Sequence, residues 1–195
     1  MPCYYRPTTG WLYRYRIELL LRLLPQGSLG RVLEVGYGSG ILIPSLINRA
    51  TEYVGLDFAS DPEQVRQGLR RCGVDKDVQL HREDFTTAAV GSFDLIIAVS
   101  IFEHISDVST LVQAIAQHLN PGGLLLVGMP RVDKAMSKLF CLIGENNIDG
   151  KHVTSYGTFK KHAEPLLDLV AEANMFPMLP SALALYHCAL LRKRG

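Results

Sequence analysis

Arg31-Val-Leu-Glu-Val-Gly-Tyr-Gly-Ser-Gly40 decides the fold, because an apolar strand pattern runs directly into a glycine-rich turn. Val32, Leu33 and Val35 predict a short buried parallel strand. The turn spaces its glycines as Gly-x-Gly-x-Gly, and glycine permits positive φ and a close approach of the backbone to a ligand. The pattern over residues 41–49 predicts a helix whose free N–H groups point back at the turn. The sequence therefore predicts a ligand site at the carboxyl end of the first strand.

The spacing of these glycines separates two classes of ligand. A dinucleotide fingerprint is G-x-G-x-x-G, in which the helix N-terminus faces a pyrophosphate. In this chain Gly40 comes one residue early, and Ile41 occupies the fingerprint position. Glu34, two residues before Gly36, would also bring negative charge towards a diphosphate. A carboxylate suits a cationic amino-acid moiety instead, such as the one that S-adenosylmethionine carries.

Length, charge and cysteine usage restrict the class of protein. The 195 residues, 48% of them hydrophobic, predict one domain with a sizeable core. A balance of 20 basic and 19 acidic residues gives a net charge of +1, so we expect no nucleic-acid partner. The 4 cysteines are scattered, which favours free thiols of a reducing compartment over a disulfide framework or a zinc site. The sequence shows neither a signal-peptide pattern nor an apolar run of about 20 residues, so we expect a cytoplasmic protein.

Strand and helix patterns alternate along most of the chain, which predicts an α/β fold with a parallel sheet. Asp61 and Pro62 are typical of a helix N-cap and its first turn. The predicted strands cover residues 32–35, 53–57, 78–82, 93–99, 124–127, 175–179 and 183–191, and the predicted helices cover 11–24, 41–49, 62–72, 108–119 and 159–174. We assign residues 1–195 to a single domain, with a leading helix segment (1–29) and a loop-rich insertion (131–157).

Acidic residues follow the second and third predicted strands, at the edge where α/β folds bind ligands. Asp57 is placed to accept hydrogen bonds from two ribose hydroxyls, with Phe58 beside it; the alternative is a helix-capping or loop aspartate. Asp84 is placed to take an adenine amino proton while Phe85 lies near the ring. The alternative for this pair is an exposed loop acid beside a core phenylalanine.

The segment Ser100-Ile-Phe-Glu-His104 follows the fourth predicted strand. Val99 and Ser100 are expected to line a cofactor through their backbone. His104 is a candidate general base, because an imidazole titrates near neutrality. A histidine that caps a helix or orients a loop is the alternative.

Several segments together resemble a class I S-adenosylmethionine-dependent methyltransferase, in the small-molecule branch that includes ubiquinone- and menaquinone-type enzymes. They are LEVGYGSG (33–40), FDLI (93–96), FEHI (102–105), LNPGGLLLV (119–127) and KHVTSY (151–156). The resemblance extends over about residues 30 to 190. It implies a Rossmann-like, doubly wound, mostly parallel seven-stranded sheet with its last strand antiparallel and helices on both faces. It also implies S-adenosyl-L-methionine as the cofactor.

The resemblance assigns a role to each candidate cofactor residue. Glu34 and the glycine turn would hold the methionine moiety, and the wall beside the sulfonium would come from Val99 or Ser100. Tyr37 departs from the family, which usually has a small residue there, and it would narrow the entrance or stack near the cofactor. The complete set of candidates is Glu34, Gly36, Tyr37, Gly38, Gly40, Asp57, Phe58, Asp84, Phe85, Val99 and Ser100.

Methyl transfer from a sulfonium is an in-line displacement in which the protein mainly aligns and desolvates the reactants. No metal is required. A base is needed only when the acceptor loses a proton, and the candidates are His104, His152 and, third, Tyr156. The alternative for His152 is a surface loop histidine.

Apolar residues in the leading helix and in the 131–157 insertion predict a lid for a small-molecule acceptor of lipophilic or aromatic character. The alternative, which we favour for most of these residues, is a helix that packs on the sheet with its arginines in water. Peripheral membrane contact through the same apolar residues and the neighbouring arginines of the leading helix is a further alternative, which we do not favour. The oligomeric state and the acceptor atom stay open.

Two further functions compete with methyl transfer. One is an NAD(P)-dependent oxidoreductase on a similar sheet, which the glycine spacing and Glu34 disfavour. The other is a methyltransferase-like binding or regulatory domain without turnover. The intact Glu34, Asp57 and glycine positions argue against lost cofactor binding, but they do not establish turnover.

Overall fold

The computed structural model describes residues 10–131, 153–175 and 184–195. The strands are β1 (Gly30–Val35), β2 (Ala50–Leu56), β3 (Gln79–His81), β4 (Phe93–Val99), β5 (Leu119–Pro130), β6 (Leu167–Asn174) and β7 (Tyr186–Lys193). The α-helices are α1 (Gly10–Leu23), α2 (Ile43–Leu46), α3 (Pro62–Arg71), α4 (Val108–His118) and α5 (Tyr156–Ala163), and a 3-10 helix covers Phe102–His104.

The described strands form one seven-stranded sheet in the order β3-β2-β1-β4-β5-β7-β6. Strands β1 to β5 pair in parallel, whereas β7 is antiparallel to both β5 and β6. This confirms the predicted mostly parallel sheet with an antiparallel last strand. The strand order reverses between β1 and β4, and the crevice at such a switch point is where open α/β sheets bind ligands.

A hydrophobic core lies on each face of the sheet. Side chains of α4 and α5, such as Ile115 and Phe159, pack on one face. Side chains of α1 and α2, such as Leu20 and Ile43, pack on the other. Each such fully buried side chain stabilises the fold by about 1.5–3 kcal/mol. The predicted cover of helices on both faces is therefore confirmed.

Helix α3 begins as the sequence predicts. The Asp61 carboxylate accepts hydrogen bonds from the backbone N–H groups of Glu63 and Gln64, and Pro62 occupies the first turn. Helix α2 is confirmed but much shorter than the predicted 41–49, because the chain forms turns on both sides of it before β2 starts at Ala50.

The predicted helix over 159–174 is wrong in its second half. Helix α5 starts at Tyr156, capped by the Ser155 hydroxyl, and ends at Ala163. Pro165 cannot continue the helix, and residues 167–174 form β6 instead, paired antiparallel with β7. Strand β6 lies at the edge of the sheet, and all but the first residue of the strand predicted for 175–179 lies outside the described residues.

The assignment of one domain to residues 1–195, with the leading segment 1–29 and the insertion 131–157, stays a prediction. Most of that insertion, including the proposed lid residues and His152, lies outside the described residues. Within the described ranges, the helices lack the combination of length and apolar character that crossing a membrane requires.

Candidate functional site

The glycine turn after β1 has the backbone that its sequence predicts. Gly36, Gly38 and Gly40 have φ values of 73°, 54° and 72°, a region that costs a residue with a Cβ of the order of 1–2 kcal/mol. The turn also approaches the segment after β4 closely, since a Cβ on Gly36 would lie 2.1 Å from Cδ1 of Ile101. The turn thus forms a tight cradle between the ends of β1 and β4.

Asp57 is fixed against this turn at the end of β2. Its Oδ2 accepts a hydrogen bond from the N–H of Gly38 over 2.9 Å, and its Oδ1 accepts from the N–H groups of Ala59 and Ser60 over 2.8 Å each. A carboxylate offers about four acceptor positions. Asp57 therefore orients the turn and keeps acceptor capacity for a ligand hydroxyl.

Glu34 is buried within the sheet and has a partner that the sequence did not reveal. Its Oε2 accepts a hydrogen bond from the hydroxyl of Tyr53 over 2.6 Å. Burial raises the pKa of Glu34 to about 8, against the lowering effect of the Tyr53 hydrogen bond; the charge of Asp57 raises the pKa further. The ligand-free carboxyl group is therefore largely protonated at neutral pH, and a nearby cation would favour its charged form.

Tyr37 lies inside the core rather than at an open entrance. It is 2% exposed, and its ring covers Gly55 of β2, where an added Cβ would lie 2.8 Å from Cδ1 of Tyr37. Its hydroxyl is buried and has no hydrogen-bond partner among the residues that the structure describes. The predicted contact of Tyr37 with a cofactor stays a prediction.

Asp84 and Phe85, the residues assigned to adenine, are arranged as an exposed loop acid beside a core phenylalanine, which is their alternative interpretation. Asp84 is exposed and its Oδ1 accepts hydrogen bonds from both the N–H and the hydroxyl of Thr86. Phe85 is 5% exposed and packs edge-on against His118. Phe58, which was grouped with Asp57, is 76% exposed. The adenine roles stay predictions.

The segment after β4 brings an unusual backbone to the same edge of the sheet. Among the described residues, Ser100 is the non-glycine residue with positive φ, at 58°. Its N–H donates to the carbonyl of Gly128 on β5 over 2.7 Å. Strained backbone of this kind is concentrated at functional sites. Val99 and Ser100 are half-buried, and their role in lining a cofactor stays a prediction.

His104, the predicted base, is exposed at the end of the 3-10 helix. Its neighbour Glu103 is 1% exposed. Burial raises the pKa of Glu103 to about 7, while the Arg16 guanidinium and a hydrogen bond from Ser100 act in the opposite direction. The role of His104 as a base stays a prediction, and the burial of Glu103 was not evident from the sequence.

Tyr156, the third candidate base, lies on the opposite face of the sheet. It is 8% exposed and its ring stacks on His187, with 4.4 Å between the ring centroids and 7° between the planes. His187 in turn lies 2.9 Å, Nδ1 to Oδ1, from Asn174. Tyr156 packs in the core cluster on the α4 and α5 face, whereas Tyr186, the partner of Ser100, packs in the cluster on the other face. The role of Tyr156 as a base stays a prediction.

Comparison with known proteins identifies the family that this chain resembles. The sequence model of the methyltransferase domain family matches residues 9–164. A ubiquinone biosynthesis O-methyltransferase of Xanthomonas axonopodis pv. citri is 33% identical over 108 residues, which are 54% of this chain and 44% of that protein. The chain thus matches less than half the length of this relative.

Solved structures share the fold. The N-methyltransferase NodS from Bradyrhizobium japonicum WM9, in complex with S-adenosyl-L-homocysteine, superposes with a TM-score of 0.73 at 20% identity, over 100% of this chain and 96% of NodS. The [4+2]-cyclase SpnF superposes with a TM-score of 0.73 at 14% identity, over 97% of this chain and 83% of SpnF. At these identities the likeness shows the fold alone.

The family match extends over most of the chain, and it includes the glycine turn, Asp57 and the segment after β4. The expectation drawn from the sequence motifs is therefore confirmed: this chain belongs to the methyltransferase domain family, with the fold of a class I S-adenosylmethionine-dependent methyltransferase.

Proposed function

We propose that this chain transfers a methyl group from S-adenosylmethionine to a small-molecule acceptor. The observation that carries the proposal is the convergence of Glu34, the Gly36–Gly40 turn and Asp57 at the switch point of the sheet. The backbone there approaches its neighbours so closely that a Cβ on Gly36 would lie 2.1 Å from Cδ1 of Ile101 and a Cβ on Gly40 would lie 2.9 Å from Cγ1 of Val65. The residues present fit the cofactor that the family implies.

Each part of the cradle has a task in binding. Glu34 lies beneath the turn as a buried carboxyl group, which favours a cationic amino-acid moiety over a diphosphate. Asp57 keeps acceptor capacity for ribose hydroxyls while it holds the N–H of Gly38. The half-buried Val99 and Ser100 limit the access of water to the reacting centre.

When bound, the sulfonium cofactor supplies an activated methyl group. The contribution of the protein is to align the acceptor with that group and to exclude water, and alignment of this kind is worth about 7–11 kcal/mol in favourable cases. Names of the relatives span oxygen and nitrogen methylation. They support a small-molecule acceptor for this chain, and we propose no nucleic-acid partner because its net charge is only +1.

We place this activity in the cytoplasm. The proposal is supported by the cysteine usage, since Cys72 is an exposed free thiol and Cys188 a buried one. Free thiols of this kind persist in a reducing compartment.

The test is transfer of label from S-adenosylmethionine carrying a radioactive methyl group. The folded protein is incubated with the small-molecule fraction of an extract of the source organism, and labelled products are identified by mass spectrometry. The proposal expects a labelled small molecule that is absent when Asp57→Ala replaces the wild-type protein. A binding or regulatory domain without turnover would give cofactor binding but no product, and an oxidoreductase would instead respond to NADH.

A further inference from the structure

A buried polar cluster lies directly after β4, next to the glycine turn. Glu103 is 1% exposed although it belongs to the 3-10 helix at the carboxyl edge of the sheet. Its main-chain carbonyl accepts a hydrogen bond from the N–H of Val153 over 2.7 Å, which fixes the backbone at this point. Carboxylates are almost never buried so fully unless they are paired or have a function.

Hydroxyl groups lie beside this carboxylate. Ser100 lowers the pKa of Glu103, so it favours the charged form of the carboxylate. The Ser100 oxygen lies 3.1 Å from the Tyr186 hydroxyl, and either of these two groups can be the donor.

One oxygen of the carboxylate is left for another donor. The Oε2 atom of Glu103 is buried, and no described residue is its hydrogen-bond partner. A buried acceptor without a partner is destabilising, and more so when the group is charged. Among the described residues, the charged and titratable groups that face Glu103 are Arg16 from α1 and Tyr186 from β7.

The cluster adjoins the cradle that holds the methyl donor. Ile101, two residues before Glu103, contacts the turn at Gly36 so closely that a Cβ there would lie 2.1 Å from its Cδ1. Ser100 turns the chain away from β4 with its φ of 58°. Ser100, in the proposed wall of the cofactor site, is therefore only three positions along the chain from Glu103, which carries the buried carboxylate.

We propose that Glu103 accepts the proton of the methyl acceptor, and that the acceptor atom therefore carries a proton before transfer, as a hydroxyl group or an amine does. This inference rests on the proposed function. The acceptor lone pair forms the new bond to the methyl carbon, while the carbon–sulfur bond of the donor breaks and leaves its electron pair on sulfur. The acceptor proton moves to Oε2 of Glu103, and the resulting carboxylic acid releases it to solvent after the product leaves.

The test compares Glu103→Gln with the wild-type protein, using labelled S-adenosylmethionine and the small-molecule fraction of an extract of the source organism. We expect Glu103→Gln to bind S-adenosylhomocysteine within threefold of wild type and to lose about 10²–10⁴-fold in kcat. Glu164→Gln, an exposed glutamate beyond α5, is the matched control and should keep wild-type activity. We expect Glu103→Asp to recover part of the loss.

A pH profile separates a proton acceptor from a structural residue. The wild-type kcat/KM should rise with pH through a midpoint near 7, and this limb should disappear in Glu103→Gln. Activity of Glu103→Gln within threefold of wild type, loss of the limb in His104→Gln instead, or a product methylated on an atom that carries no proton in the acceptor would overturn the proposal. Absence of any product despite normal S-adenosylhomocysteine binding would overturn methyl transfer itself and this inference with it.

Discussion

The hydroxyl of Tyr53 on β2 donates to Oε2 of Glu34 on β1 over 2.6 Å, and both side chains are buried. Glu34 pairs in register with Gly55 of β2, and Tyr53 lies two residues before Gly55 on the same strand, so both side chains point to the same face of the sheet. The pair places a carboxyl group beneath the glycine turn with a pKa of about 8, raised mainly by burial. The ionisation of Glu34 is therefore coupled to whatever charge the turn binds.

This coupling makes cofactor affinity depend on pH. A bound ammonium group favours the charged form of Glu34, which the ligand-free protein populates only as the pH approaches 8. We expect the affinity for S-adenosylhomocysteine to rise between pH 6 and pH 8 by up to tenfold per pH unit, measured by titration calorimetry. Glu34→Gln should bind more weakly at pH 8 and show a flat profile. Equal slopes in the two proteins would rule out Glu34 as the coupled group.

The same pKa predicts how stability changes with pH. Because the folded-state pKa of Glu34 lies above its ordinary value of 4.5, its contribution to stability is fully present below about pH 4.5 and is lost as the pH rises through about 8. Glu34→Gln removes this loss. The difference in Tm between Glu34→Gln and wild type, measured by circular dichroism, should therefore increase in favour of the variant from pH 5 to pH 8.5. A constant difference in Tm would contradict the assignment.

Asp57 and Asp61 lie four residues apart and have separable roles. Asp57 contacts the glycine turn, whereas Asp61 caps α3. We expect Asp57→Asn to weaken S-adenosylhomocysteine binding at least tenfold, because the amide loses acceptor positions and charge. Asp61→Asn should leave this affinity within twofold. Comparable binding by the two variants would show that Asp57 does not contact the ligand.

A comparison of Gly36 with Gly73 separates two effects of an added Cβ atom. One is a clash with a neighbouring side chain, and the other is the cost of a positive φ. Both have positive φ, at 73° and 76°, but a Cβ on Gly36 would meet Ile101, whereas a Cβ on Gly73 has nothing within 4 Å. We expect Gly73→Ala to cost about 1–2 kcal/mol in the free energy of unfolding. Gly36→Ala should cost more and also weaken S-adenosylhomocysteine binding, and Gly36→Ala with Ile101→Val should recover part of the stability. Equal costs at the two glycines would show that Ile101 simply moves aside.

Most of the sheet was predictable because its strands are buried on both faces. Leu95, Ile96 and Ile97 of β4 are fully buried and form a continuous apolar run that has few other interpretations. Strand β6 was missed because it is an exposed edge strand, in which Leu169 and Val170 are each 46% exposed. Such a segment lacks a buried face, so its local pattern does not separate strand from helix.

The site was predictable where backbone geometry defines it. Gly36 and Asp57 belong to motifs whose spacing reflects the turn itself. The tertiary partners of Glu34 and Ser100 were not predictable, because Tyr53 and Tyr186 reach them from other strands. The burial that raises the pKa of Glu103 was not predictable either, and the role of His104 as a base stays a prediction.

Titration calorimetry of the purified, ligand-free protein with S-adenosylhomocysteine tests the central claim most directly. The account predicts saturable binding of S-adenosylhomocysteine at one site per chain and no measurable heat with NADH. In Asp57→Asn the affinity for S-adenosylhomocysteine should fall at least tenfold. A protein that unfolds cooperatively, and is therefore folded, yet gives no heat with S-adenosylhomocysteine or S-adenosylmethionine would contradict it.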